Sequence, residues 1–157
     1  MEVLHLGGDS TDNEPEYKIS EDGNSIIIDA VDEAVDTVKR FILDKLAAFG
    51  CEKRPMMQIR LAVEEIFVNI ISYAYRPDIG KAEVLCEVME NPLAVTIQFM
   101  DSGKPFDPLA YDKVNSPEET FVEREGGLGI YLVKSTMDSV DYEYKDGKNI
   151  LIIKKNL

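Results

Sequence analysis

The chain has 157 residues, 45% of them hydrophobic and 30% charged, and carries a net charge of −13 at pH 7. That length supports one core burying about two-thirds of the unfolded surface and is short for two, so a single domain is expected, and no apolar run reaches the roughly 20 residues that span a bilayer. The negative charge repels phosphate backbones and anionic lipid, which excludes nucleic acid and membrane surfaces as partners; a compact nucleotide stays admissible where backbone N–H groups and Mg²⁺ offset the repulsion locally.

Residues 1–15 are mostly polar, with Gly7-Gly8-Asp9-Ser10-Thr11-Asp12-Asn13-Glu14-Pro15 unable to bury apolar area, and are read as a loosely attached tail ahead of a single domain over 16–157. Met1–Asp9 has no basic stretch followed by a long apolar core, so no secretory signal is expected and a cytoplasmic location follows. Tyr17-Lys18-Ile19 is a short strand and Ser25–Ile28 a stronger one, separated by a turn at Asp22-Gly23-Asn24. Asp29 is placed to cap a helix, in which Val31, Val35, Val38, Phe41, Ile42, Leu46 and Phe49 recur at three and four residues until Gly50.

A second helix starts near Pro55 and runs to Tyr75, with Pro77 and Gly80 ending it. Two strands follow, 82–89 and 93–100, joined at Glu90-Asn91-Pro92. The segment 104–125, rich in Gly, Pro, Asp and Glu, has the length of a functional lid. A third helix over 128–137 precedes strands near 139–144 and 149–154 with Asp146-Gly147 as their turn. Strands that pair as hairpins and helices that collect on one side predict an α+β fold. It is a two-layer sandwich, a mostly antiparallel mixed sheet covered on one face by about three helices. Cys51 and Cys86 lack CxxC spacing and the chain has a single His, so two reduced thiols are expected rather than a zinc site.

Three polar islands interrupt this apolar framework. On the second helix, Ile59, Val63, Ile66, Phe67, Ile70 and Ala74 form the face toward the sheet, while Glu65 and Asn69, only about 40° apart around the helix axis, point elsewhere and can grip one object. An amide oxygen suits Mg²⁺, and a nearby carboxylate can take a proton from an attacking hydroxyl. Asp101-Ser102-Gly103 ends an apolar strand, where the carboxylate is a good acceptor for an exocyclic amino group and Gly103 admits a base close to the backbone. Gly126-Gly127-Leu128-Gly129 opens the third helix, whose unpaired N–H groups and dipole favour phosphate oxygens. Each island alone also fits a plain structural role: an exposed helical pair, a strand-ending turn, a linker before a helix. They complement one another as parts of one nucleotide pocket. The glycine loop is not a Walker loop, since no GK[ST] follows, nor a Rossmann fingerprint, since no strand leads into it.

In order and spacing the three islands resemble the Bergerat-type ATP-binding fold of gyrase, Hsp90, histidine kinases and MutL, and more closely its stand-alone anti-sigma factor serine/threonine kinases. Residues 61–75 look like that branch's N-box, 101–108 like its adenine-binding segment, and 126–134 like its phosphate loop and following helix. The resemblance implies Glu65 as general base and Asn69 as the Mg²⁺ ligand. It implies Asp101 and Gly103 at adenine, Gly126, Gly127, Leu128 and Gly129 at the phosphates, and 104–125 as the ATP lid. It implies ATP and Mg²⁺ as cofactors, a sigma factor and a STAS-domain antagonist as partners, and a homodimer. Tyr73 departs from the pattern, standing where many relatives carry a basic residue or His, and the lid supplies Lys113 and Arg124 without a place for either. Two other functions stay open. One is a non-enzymatic ATP-dependent switch. The other is a detached histidine-kinase catalytic domain, weakened because the only His is His5 in the tail. Glu65 favours the kinase, since nucleotide binding needs no base.

Overall fold

The computed structural model of the chain describes residues 3–5, 14–111 and 127–157, with backbone alone for 3–5, 111, 127 and 128. Seven strands are ordered β1-β2-β3-β4-β5-β7-β6, with β1 at Val3–His5, β2 at Tyr17–Ser20, β3 at Ser25–Asp29, β4 at Lys81–Met89, β5 at Ala94–Asp101, β6 at Ser139–Lys145 and β7 at Lys148–Asn156. Three α-helices, α1 at Val35–Ala48, α2 at Lys53–Tyr73 and α3 at Gly127–Thr136, make the second layer. The expected α+β sandwich is therefore the fold. All six strand pairings are antiparallel, so among the described residues the sheet is not mixed.

Local chemistry accounts for the element ends. Gly50, at φ +73°, stops α1 in a conformation that costs glycine nothing. Asp146 and Gly147, both at positive φ, close the β6–β7 hairpin with the twist that flanking strands prefer. Two details differ from expectation. Asp29 does not cap a helix: it ends β3, where its Oδ1 accepts from Lys81 Nζ at 2.9 Å, and the 3-10 turn Asp32–Ala34 that leads into α1 has no side-chain cap. And Val3–His5, within the stretch read as a tail, pairs with β2 as an edge strand, Leu4 opposite Ile19. A three-residue edge strand needs only one partner ladder, which the polar composition of 1–15 does not forbid.

Alternation places the core. In β5 Val95, Ile97 and Phe99 are buried together with Ile26 and Ile28 of β3, Val84 of β4, and Leu151 and Ile153 of β7. Against them α2 lays Ile59, Val63, Ile66, Phe67 and Ile70, the face that the sequence spacing identifies, and α1 lays Val38, Ile42 and Leu46. Phe67, fully buried at the middle of this contact, is worth about 3–5 kcal/mol against Ala. Burying that stripe leaves the flank of α2 carrying Asn69 at the margin between the helical layer and the ends of the central strands. Cys51 and Cys86 are unpaired, and burial pushes the Cys86 thiol up to about 11.

Candidate functional site

Asp101 is the last residue of β5, a central strand, and is 7% exposed. Its direct partner across the ladder is Asn149 of β7, and residues paired in this way share a face. Asn149 Nδ2 donates to Asp101 Oδ1 at 2.9 Å, and the Gly103 N–H donates to the same oxygen at 2.9 Å. Oδ2 is left without a hydrogen bond among the described residues, in a carboxylate that lines a cleft. Burial raises the pKa of Asp101, with the Asn149 and Gly103 hydrogen bonds pulling the other way.

Asn149 is the residue that the sequence did not single out. It is 6% exposed and also binds the segment after β5 at two points, donating to Lys104 O at 2.8 Å and accepting from the Phe106 N–H at 3.0 Å; the Tyr142 hydroxyl donates to its Oδ1 at 2.5 Å. The available signal was a polar residue where an apolar strand begins, next to Ile150 and Leu151. Its meaning depends on β5 pairing with β7, which no local pattern specifies.

The opposite wall is α2. Asn69 faces the same cleft as Asp101, with Ile66, Ile70 and Phe99 forming apolar floor between them. The cleft has about 420 Å³ of empty space, its open mouth included. Tyr73, one turn beyond Asn69, stacks on Phe106 with ring centroids 5.0 Å apart and planes 14° from parallel, so it closes one side of the cleft instead of presenting a charge.

Both walls are locked together where α2 ends. The Tyr75 hydroxyl donates to Lys81 O at 2.6 Å and accepts from the Ser102 N–H at 2.7 Å, and the Lys104 N–H donates to Ala74 O at 3.0 Å. Gly103 sits so close to this corner that a Cβ would lie 2.2 Å from Ala74 O. The glycine is thus demanded by chain packing, a requirement that the sequence reading did not anticipate.

Glu65 stands one turn before Asn69 and is half-exposed. Burial raises its pKa, and the neighbouring Glu64 carboxylate adds to the shift. Glu64 itself pairs with Lys39 of α1 at 3.5 Å, as a charge-pairing neighbour should. The start of α3 abuts Glu65: a Cβ on Gly129 would lie 2.1 Å from Glu65 Oε2. Gly127 and Leu128 form the first turn of α3, whereas Gly126, Lys113, Arg124 and most of the lid segment lie outside the described residues. The structure therefore brings Asn69 and Asp101 to one cleft and Glu65 and Gly129 to each other beside it.

This donor set can be tested against a nucleotide and its metal. Mg²⁺ takes few protein ligands and keeps water and phosphate oxygens, so one amide oxygen beside an acid suffices, and no cluster of three His, Cys, Asp or Glu is needed or present among the described residues. An open carboxylate oxygen over an apolar floor matches the edge and face of a purine. Among the described residues no helix is long and apolar enough to cross a membrane.

A two-layer sandwich with a polar-edged apolar cleft between α2 and the ends of the central strands has the makings of a domain that binds a small aromatic ligand. The chain belongs to the histidine kinase-like ATPase domain family, whose model matches residues 28–155. It is similar to the serine-protein kinase RsbW of Bacillus thuringiensis (strain Al Hakam), Bacillus cereus (strain AH820) and Bacillus anthracis (strain A0248), in each case 29% identical over 103 residues, which are 61% of this chain and 61% of the relative. The chain spans about three-fifths of the length of these curated relatives.

Proposed function

We propose that this chain is a cytoplasmic, Mg·ATP-dependent protein serine/threonine kinase that acts as an anti-sigma factor and phosphorylates a STAS-type antagonist protein. The observation that carries the reading is the placement of Asn69 and Asp101 on one cleft with Glu65 a single turn from Asn69. The similarity to proteins named serine-protein kinases supports the same activity.

In this reading Asp101 accepts the exocyclic amino group of adenine through Oδ2, held in register by Asn149 and Gly103. Asn69 would hold Mg²⁺, and the N–H groups of Gly126, Gly127, Leu128 and Gly129 would receive phosphate oxygens at the start of α3. Bound Mg·ATP would supply the phosphoryl group. Glu65 orients the incoming Ser or Thr hydroxyl and takes its proton at a carboxylate oxygen. Its raised pKa brings it nearer the pH at which a base is effective. The Tyr73–Phe106 stack keeps water from the base end of the cleft.

The test is transfer of label from γ-labelled ATP, with Mg²⁺, to the STAS-domain protein encoded nearest to this chain. Transfer to a Ser or Thr is the expected result. Tight ATP binding without transfer would make the protein an ATP-dependent switch instead. Asn69→Ala should lower Mg·ATP affinity at least about 10-fold, checked by calorimetry with and without Mg²⁺.

A further inference from the structure

The outer side of a surface helix is normally polar. On α2, the helix that carries Glu65 and Asn69, it is not. Between Lys53 and Val68 the exposed residues are Lys53, Arg54, Met57, Arg60, Leu61 and Val68, and at about 100° per residue they fall within about 120° of one another around the axis. α1 and α3 flank this arc, with Lys39 of α1 paired to Glu64 and the start of α3 against Glu65, and the arc itself is uncovered among the described residues. Met57 is 64% exposed, and Leu61 and Val68 continue an apolar ridge beyond it. Leu61 stands one turn before Glu65, and Val68 directly precedes Asn69. The ridge thus leads to the catalytic end of the cleft, and exposed apolar side chains aligned in this way mark an interaction surface.

The charges beside the ridge are out of place as well. Lys53 and Arg54 stand in the first turn of α2, where the positive end of the helix dipole repels them. That turn holds no acid, and Glu52 at the N-cap makes no side-chain cap. Lys53, Arg54 and Arg60 have no ion-pair partner among the described residues. In a chain with 30 Asp and Glu against 17 Lys and Arg, three unpaired bases gathered on one helix face are not accounted for by the stability of the free chain.

We infer that this face of α2 docks the protein substrate, and that the substrate meets it with an apolar surface edged by Asp and Glu side chains. The inference rests on the phosphoryl-transfer reading: a protein whose hydroxyl reaches Glu65 has to lie on the residues around Glu65, and the ridge is among them. Met57 and Leu61 supply the desolvated centre of the contact, while Lys53, Arg54 and Arg60 form its charged rim. Opposite charge at such a rim speeds encounter and fixes register, so cations that cost the free helix stability gain a use in the complex. A phosphate backbone suits the face less well, because the ridge offers it no donor and the net charge of −13 repels it.

Calorimetry tests it, with the full chain, Mg²⁺, a non-hydrolysable ATP analogue and the STAS-domain protein encoded nearest to this chain. The wild-type chain should bind that protein, and more tightly at low salt. Arg54→Glu, Arg60→Glu and Met57→Glu should each weaken binding at least about 10-fold while keeping the circular dichroism and the nucleotide affinity of the wild type. Arg54→Lys and Arg60→Lys should each lose less than the matching Glu variant, since the charge is retained. Lys53→Glu should act with opposite signs on two readouts. It should weaken docking yet raise the melting temperature of the free chain, because an acid replaces a base at the positive end of the helix. Undiminished docking by the three Glu variants, or a melting temperature that falls in Lys53→Glu, would overturn this inference alone. A wild-type chain that binds no STAS-domain protein would overturn the partner of the phosphoryl-transfer reading together with it. Binding of a DNA duplex that the same substitutions abolish would give the face to nucleic acid and overturn the inference as well.

Discussion

Asp101 and Glu65 are both carboxylates whose pKa burial pushes up, and they are held in opposite ways. Asp101 is 7% exposed, at the end of a central strand, with one oxygen fixed by Asn149 and Gly103. Glu65 is half-exposed on a helix flank, makes no hydrogen bond among the described residues, and is crowded by Glu64 and by the start of α3. A group that must recognise gains from being immobile and pre-satisfied on its far side. A group that must accept a proton gains from an accessible oxygen and a pKa brought upward. Under the proposed function, the contrast suits Asp101 to recognition and Glu65 to proton transfer.

The largest expected effect separates these roles. Glu65→Gln should lower phosphoryl transfer by about 10²–10⁴-fold, the usual worth of a general base, while ATP affinity measured by equilibrium binding stays within about 2-fold. Loss of affinity in that variant would erase the distinction. Asp101→Asn should do the reverse at the binding step. The amide keeps an oxygen for Asn149 and Gly103 but turns a donor toward the cleft, so ATP affinity should fall about 10–100-fold, in keeping with about 1.5–3 kcal/mol for a hydrogen bond to a charged group. Unchanged affinity would remove Asp101 from the base-recognition role.

The two glycines sharpen the same contrast through stability. Gly103→Ala drives a Cβ into the Ala74 backbone, which cannot swing aside, and should cost about 1–3 kcal/mol in urea unfolding. Gly129→Ala meets the mobile end of Glu65, so it should cost under about 1 kcal/mol of stability while slowing transfer by displacing the carboxylate. Equal stability losses would mean that Glu65 is as rigidly held as the chain around Asp101.

The smallest effect is a pH dependence. Because the folded-state pKa of Asp101 lies above its unfolded value, the folded chain holds that proton more tightly, and ionisation subtracts stability. The contribution is fully present below the usual Asp range and is lost as pH rises through the folded pKa. Thermal unfolding of Asp101→Asn relative to wild type should therefore improve between about pH 4 and pH 7. A difference that is flat across this window would place Asp101 in a more solvated setting than its burial indicates.

Much of this molecule is legible along the chain. The three- and four-residue spacing of Ile59, Val63, Ile66, Phe67 and Ile70 fixes which face of α2 meets the sheet, and so which flank carries Glu65 and Asn69, because helical periodicity is a local property. Alternation in β4, β5 and β7, and Asp146-Gly147 between β6 and β7, place the strands for the same reason. Tertiary structure alone decided what lies across from what. Asn149 became Asp101's partner only when β5 chose β7 as its neighbour, Gly103 became obligatory only when Ala74 arrived above it, and Tyr73 met Phe106 only when the segment after β5 folded back. Those pairings join residues about 30 or more positions apart, and their selection depends on the burial of the whole core, a sum that no local window contains.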